Sequence, residues 1–403
     1  MVGLLTAPAS QLVSSAGWAD TLKVGGVFSP SGHALGPAHK AYLPYCSSDS
    51  WVGDASWTDE GGTWQMRGAA NLRVAVESLL DGGMDSAALV LVGGCSAGGR
   101  GAMYNLDAVC AQVASRNPVA LCAGLHDAPW WLDTPPSLRP SQPPLFDVAR
   151  KGLALWRGGE GYDPAALPAP LGECAAARVR QGGDAAECIF AQTLLAAVKA
   201  PVFLQTNQYD AFQLFYDFGL PWSLTVAMAT YESNATVRQA VDAARGSFQS
   251  ELSAAFGGDR RSAVSLPRLL MLSGGSDAPL RHAFSSACYG HCMIENDAFF
   301  SAATVSGVGL SETVGRYIDA LTGTLERLDR LGRLGSRRGG SRVLVLDDCE
   351  GFSCSVGCPA IEEQEGRHDA NPSSGPDQRP ATSARTTHAP ANGERANAFH
   401  FKN

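Results

Sequence analysis

The chain has 403 residues, 45% of them hydrophobic, and a formal net charge of −8 at pH 7. That length and apolar content can bury one large core or two ordinary ones. The acidic balance argues against a nucleic-acid partner, which calls for a basic patch, and no apolar run reaches the ~20 residues of a membrane helix.

The opening stretch, MVGLLTAPASQLVSSAGWAD, lacks the basic start and continuous apolar segment of a secretory leader. Eleven cysteines point the other way. Several lie in close local groups, as in a disulfide framework made in an oxidising compartment, and the odd number leaves one without a partner inside the chain. Zinc is the rival reading for Cys349, Cys354 and Cys358. No CxxC pair and no nearby structured histidine supports it, so neither metal nor cofactor is expected.

Ala87 to Val92 is an unbroken run of small and β-branched residues, which predicts a strand buried on both faces. It runs into Gly93-Gly94-Cys95-Ser96-Ala97-Gly98-Gly99, and a helix is predicted from Gly99 to Cys110. Gly94, Ser96 and Gly98 satisfy G-x-S-x-G. A serine on a sharp strand-to-helix turn is strained, its neighbours two positions away should be small, and its hydroxyl stands over the sheet. The helix N-terminus behind it aims N–H groups at developing negative charge, with the Ala97 N–H as one oxyanion donor. A structural turn is the plainer alternative. A phosphate loop is not, because Arg100 stands where a lysine is wanted and the spacing is wrong.

A serine nucleophile needs a base and the base an orienting acid, in the chain order Ser, Asp or Glu, His for this type of fold. Pro201 to Thr206 is a second short buried strand, and Asp210 follows it directly, where a triad acid belongs. Asp127 and Asp133 are rivals disfavoured by their short distance from Ser96. Val237, Val241, Phe248, Leu252 and Phe256 recur at helical spacing and should pack in the core. Of eight histidines, His291 is the favoured base, since Cys288 and Cys292 around it can staple its loop. His126 comes too soon after the serine, His282 reads as a surface residue, and His368, His388 and His400 lie in the tail.

RLDRLGRLGSRRGGSR, ending at Arg342, reads as a basic helix end and a solvated surface loop. Beyond Pro359 the chain is polar and rich in Pro, Ser, Asn and Gly, which predicts a disordered tail over 359–403 after one domain over 1–358. Asn234-Ala235-Thr236 is a glycosylation sequon, a pattern too common to carry weight. Strands interleaved with helices define an α/β fold with a mainly parallel sheet, whose chemistry sits at the carboxyl ends of the strands.

Several blocks together resemble the pectin acetylesterases and their animal relatives, the Notum carboxylesterases: YLPYCSSDSWVGD (42–54), RGAANLRVAVESLL followed by GGCSAGG, LHDAPWWLD (125–133), NQYDAFQL, CYGHC and LDDCEGFSCSVGCP. They occur in order over about residues 12 to 359. The resemblance implies an α/β-hydrolase-like fold, secretion, several disulfides and hydrolysis of carboxylic esters. It implies Ser96 as nucleophile, Asp210 as acid and His291 as base, the same residues favoured above. Trp130 or Trp131 falls in a segment that helps line the acyl pocket in the family, with core packing the equal alternative. The substrate expected is an acetylated pectin-like polysaccharide, or else an acylated protein, handled by a monomer.

The start departs from the family pattern. Members carry a Gly-Gly-Gly-Trp-Cys segment whose N–H groups complete the oxyanion hole. Here LVSSAGWADTLKVGGVF looks like the stretch just downstream, and Gly17-Trp18 is only a superficial echo. The expectation is a chain lacking an early strand, one oxyanion donor and the cysteine that would even the count. A catalytically dead glycan-binding protein is therefore a third reading.

Overall fold

The computed structural model describes residues 24–358 except 60–61, 137, 140, 160, 257–271, 274–278, 331–340 and 350. The predicted tail, the Gly17-Trp18 echo and most of the basic loop before Arg342 lie outside the described residues.

The strands of the central sheet are β1 (Leu89–Cys95), β2 (Leu121–Asp127), β3 (Val202–Gln205), β4 (Leu272–Ser273), β5 (Arg281–Ser285) and β6 (Ser341–Leu346). Their order is β1-β2-β3-β5-β6-β4. The first five in that order run parallel, and β4 is an antiparallel edge. The helices that matter for the site are α1 (Gly68–Asp81), α2 (Ala97–Arg116), α3 (Ala211–Phe218), α4 (Ala235–Phe256) and α5 (Leu310–Arg330). The chain is an α/β protein with a five-stranded parallel sheet.

Side chains alternate across a strand, so a sheet covered on both faces is apolar at most positions on both sides. β3 shows the division: Val202 and Leu204 enter one core with Met103 and Leu106 of α2 and Phe248, Leu252 and Phe256 of α4. Phe203 enters the other with Val314, Tyr317 and Leu321 of α5. Ala283 and Phe284 of β5 divide in the same way. The predicted apolar stripe of α4 is buried as expected, from Val237 to Phe256.

Two boundaries differ from expectation. β1 extends past Val92 to Cys95, because parallel pairing with β2 uses only backbone and carries through Gly94↔His126 and Cys95↔Asp127. α2 begins at Ala97 and runs to Arg116, since Ser96 itself is the turn. His282 is corrected outright: it lies on β5, 3% exposed, and packs against Tyr317.

The odd-count reasoning resolves to five disulfides with Cys46 left free. Cys288 and Cys292 do flank the histidine, but they bond elsewhere, to Cys358 and Cys95. Cys349 pairs with Cys354, so all three sulfurs of the rival zinc reading are in disulfides.

Candidate active site

The site forms at the carboxyl ends of β1, β2 and β3. Ser96 follows β1 with φ 54° and ψ −120°, a conformation that costs a side-chain-bearing residue about 1–3 kcal/mol. Its surroundings hold it there. The Ser96 N–H donates to the Asp127 carbonyl at 3.0 Å, and its own carbonyl accepts the Arg100 N–H at 2.9 Å, closing the first turn of α2. A Cβ on Gly94 would stand 2.7 Å from the backbone of Gly98, so the elbow closes only with glycine there. Gly98 itself has open space; the second required glycine is Gly99, where a Cβ would stand 2.5 Å from the Asp127 carbonyl oxygen. The motif therefore predicts the first glycine correctly and misplaces the second by one residue.

Asp210 and His291 meet through a two-residue parallel ladder, Tyr209–Asp210 beside Tyr289–Gly290, which sets Asp210 opposite Gly290. Both carboxylate oxygens of Asp210 are engaged. Oδ1 accepts the Gln213 N–H at 2.9 Å as the N-cap of α3, and Oδ2 lies 2.6 Å from His291 Nδ1. The N-terminus of α3 favours negative charge at Asp210. With Nδ1 committed to the acid, the free nitrogen of the ring is Nε2. It has no hydrogen-bond partner among the described residues. Ser96 Oγ is thus not yet bonded to it, a gap common in ligand-free sites.

The histidine loop is tied to the serine elbow twice. The Cys95–Cys292 disulfide joins the residue before Ser96 to the residue after His291. Asp127, one of the rival acids, makes the second tie. Its carbonyl receives Ser96, and its Oδ2 accepts the Ile294 N–H at 2.7 Å. Burial pushes its pKa up to about 7. Asp133, the other rival, is exposed.

Aromatic rings wall the imidazole. Phe212 lies 5.7 Å from His291 and Trp222 6.4 Å. Trp131 stacks on Phe212 at 5.0 Å. Trp130 points the other way, fully buried in the main core against Phe256. Arg100, one turn past Ser96, lays its guanidinium over Trp131, with Cζ 3.2 Å from the ring centroid. Burial pulls its pKa down to about 10. Sequence reasoning missed Arg100, Phe212 and Trp222. The i+4 spacing of Arg100 from Ser96 on one helix was the available signal; Trp222 carried none.

Cys95, His291 and Cys292 bring ligand atoms within 4.8 Å of one another, but the two sulfurs are bonded together, leaving one imidazole and no set of metal donors. No helix among the described residues is long and apolar enough to cross a membrane.

A parallel sheet covered on both faces, with a strained serine at the end of one strand and an Asp–His pair beyond its neighbours, is the architecture of the α/β hydrolases. Comparison with known proteins narrows the class. The Pectinacetylesterase family model matches residues 5–329, and the chain belongs to that family. Palmitoleoyl-protein carboxylesterase notum2 of Xenopus laevis is 32% identical over 213 residues, covering 51% of this chain and 41% of its own length. Palmitoleoyl-protein carboxylesterase notum1a of Danio rerio is 24% identical over 347 residues, 83% of this chain and 57% of its own length. The chain thus spans about half the length of these curated relatives. The solved structure of the Wnt deacylase Notum from Drosophila shares the fold, with a TM-score of 0.62 at 23% identity over 87% of this chain and 83% of that one.

Proposed function

We propose that the protein is a serine carboxylic ester hydrolase that removes O-acetyl groups from a pectin-like polysaccharide. The observation that carries this is the 2.6 Å Asp210–His291 pair with a free Nε2, tied covalently to the elbow that bears Ser96. His291 takes the proton of Ser96 as Oγ attacks the ester carbonyl. Asp210 holds the tautomer and stabilises the imidazolium. The Ala97 N–H, first of α2, receives the oxyanion. The protonated imidazole then passes its proton to the leaving sugar oxygen, and water hydrolyses the acyl-enzyme by the same route. Five disulfides favour work outside the cell.

Trp131, Phe212 and Trp222 form a continuous aromatic wall beside the imidazole, with successive centroids 5.0 and 6.4 Å apart, an apolar face for an acyl site. Trp131 is the side chain we assign to the rim of that acyl site. The second reading, removal of a longer acyl chain from a protein, is favoured by the curated relatives, which are palmitoleoyl-protein carboxylesterases. A p-nitrophenyl ester series decides between them. An acetyl optimum supports the polysaccharide esterase, and an optimum at C8 or longer supports the protein deacylase. Glycan binding without turnover of any ester would overturn both.

A further inference from the structure

Four of the five disulfides close loops of 5 to 70 residues away from the serine. Cys95–Cys292 spans 197 residues and joins the serine segment to the histidine segment. Cys95 is the last residue of β1, directly before Ser96, and Cys292 directly follows His291. Their Cα atoms are 5.3 Å apart. Cys292, at one end of the cross-link, holds φ 60°, and Ser96, next to the other end, holds φ 54°. Such conformations persist where the surroundings over-determine them.

Other ties of the histidine loop lead elsewhere: Cys288 is bonded to Cys358, the Gly290 carbonyl accepts the Asn207 side-chain amide at 3.0 Å, and the Ile294 carbonyl accepts the Val27 N–H at 3.1 Å. The Tyr289–Gly290 ladder carries the loop to Asp210, and the Ile294 N–H carries it to Asp127. The ladder sets the base against its acid. Apart from the indirect route through Asp127, which takes two hydrogen bonds of 2.7 and 3.0 Å, the covalent link from base to nucleophile is the disulfide.

We propose that Cys95 and Cys292 are a positioning pair for the esterase reaction: their bond fixes the approach of His291 Nε2 to Ser96 Oγ, so turnover follows the oxidation state of this one cross-link. The inference rests on the hydrolase reading above. Opening the bond requires a dithiol. One of its thiolates attacks Cys95 or Cys292 Sγ and expels the other cysteine as a thiolate; its second thiolate then attacks the mixed disulfide and expels the cysteine held there, so the dithiol becomes a cyclic disulfide and both cysteines, having taken up its two electrons and two protons, are thiols. The histidine loop then keeps its acid but loses its fixed distance to the serine. Misplacement of a reacting group by about 1 Å costs on the order of 100-fold in rate.

The test compares the oxidised protein with the double variant Cys95→Ala/Cys292→Ala, and with Cys110→Ala/Cys122→Ala as a control disulfide between α2 and β2. p-Nitrophenyl acetate is the substrate. A chelator is present throughout, because thiols freed beside His291 would otherwise offer a divalent cation three ligands within 4.8 Å. The expected result is a fall in kcat of about 10- to 100-fold in the Cys95/Cys292 variant, with KM within threefold and no comparable loss in the control. A purely structural bond would lower the unfolding temperature of both variants and leave kcat alone. If the double variant does not fold, the wild type is reduced in steps with a dithiol and alkylated, and each cysteine is quantified by mass spectrometry. Loss of kcat should then track alkylation of Cys95 and Cys292, and return on reoxidation. Unchanged kcat in a folded double variant, or loss that tracks other cysteines, overturns the proposal while leaving the hydrolase reading intact. Absence of turnover in the oxidised wild type overturns both.

Discussion

Asp210 engages a helix end and the proposed base with separate atoms. Oδ1 caps α3 and Oδ2 holds the imidazole. Asparagine caps a helix as well as aspartate does, whereas alanine does not. Asp210→Asn and Asp210→Ala should therefore both cut kcat by about 10⁴-fold, the loss seen when a triad acid is neutralised. Only the alanine variant should lose the further ~1 kcal/mol of the cap, read by urea unfolding. Equal stability of the two variants would remove the capping role. The buried histidines give a second residue-scale prediction. A histidine in the unfolded chain titrates near about 6.5. Burial drives His126 down to about 3 and His282 down to about 4. Below pH ~6.5 the unfolded chain binds protons that the native state refuses, so the stability these residues permit at neutral pH is lost as pH falls. Asp127 acts in the opposite sense. Burial raises its pKa to about 7, so its contribution is full in acid and is lost as pH rises towards 7. Replacing His282 with leucine should flatten the acid side of the stability–pH curve by up to about 1.4 kcal/mol per pH unit between roughly 6.5 and 4.5. An unchanged slope would show that His282 is protonated in the folded protein.

At the scale of elements, the strand-to-helix turn decides the site. Gly99→Ala drives a methyl into the Asp127 carbonyl, 2.5 Å away, and so into the backbone that anchors the Ser96 N–H. Gly98→Ala meets nothing within 4 Å and lies in the first turn of a helix that prefers alanine. Thermal unfolding of the two variants should show a large loss at position 99 and little or none at 98. The reverse order would contradict the geometry of the elbow. The existence of this turn was legible because a buried strand, a G-x-S-x-G and a helix follow one another without a gap. Its edges were not, since Gly93 to Cys95 continue β1 by backbone pairing that side-chain pattern does not encode. His282 was misread for a related reason. In Arg281-His282-Ala283-Phe284-Ser285 every position is buried, and polar residues at covered positions break the apolar run that marks such a strand. Arg281 is accommodated there by the carbonyls of Ala200, Leu195 and Val198, which are distant in sequence.

For the whole molecule, strand order converts distant segments into one site. Ser96, Asp210 and His291 are far apart in the chain, yet their blocks could be read one by one because each sits just after a strand or between cysteines. The disulfide partners could not be read. Local spacing suggested that Cys288 and Cys292 act on one loop, whereas adjacency at the sheet's carboxyl edge sends Cys292 to Cys95 and Cys288 to Cys358. The aromatic wall was half legible: the Trp130–Trp131 pair was visible, but which ring faces His291 depends on the path of the chain after β2 and on Phe212 of α3. The proposed reaction makes Ser96 the attacking group. The most direct measurement is hydrolysis of p-nitrophenyl acetate by the full chain and by Ser96→Ala, each shown to be folded by its thermal transition. The account predicts ready turnover by the wild type and a loss of at least about 10³-fold in the variant. Turnover that persists in Ser96→Ala would contradict it.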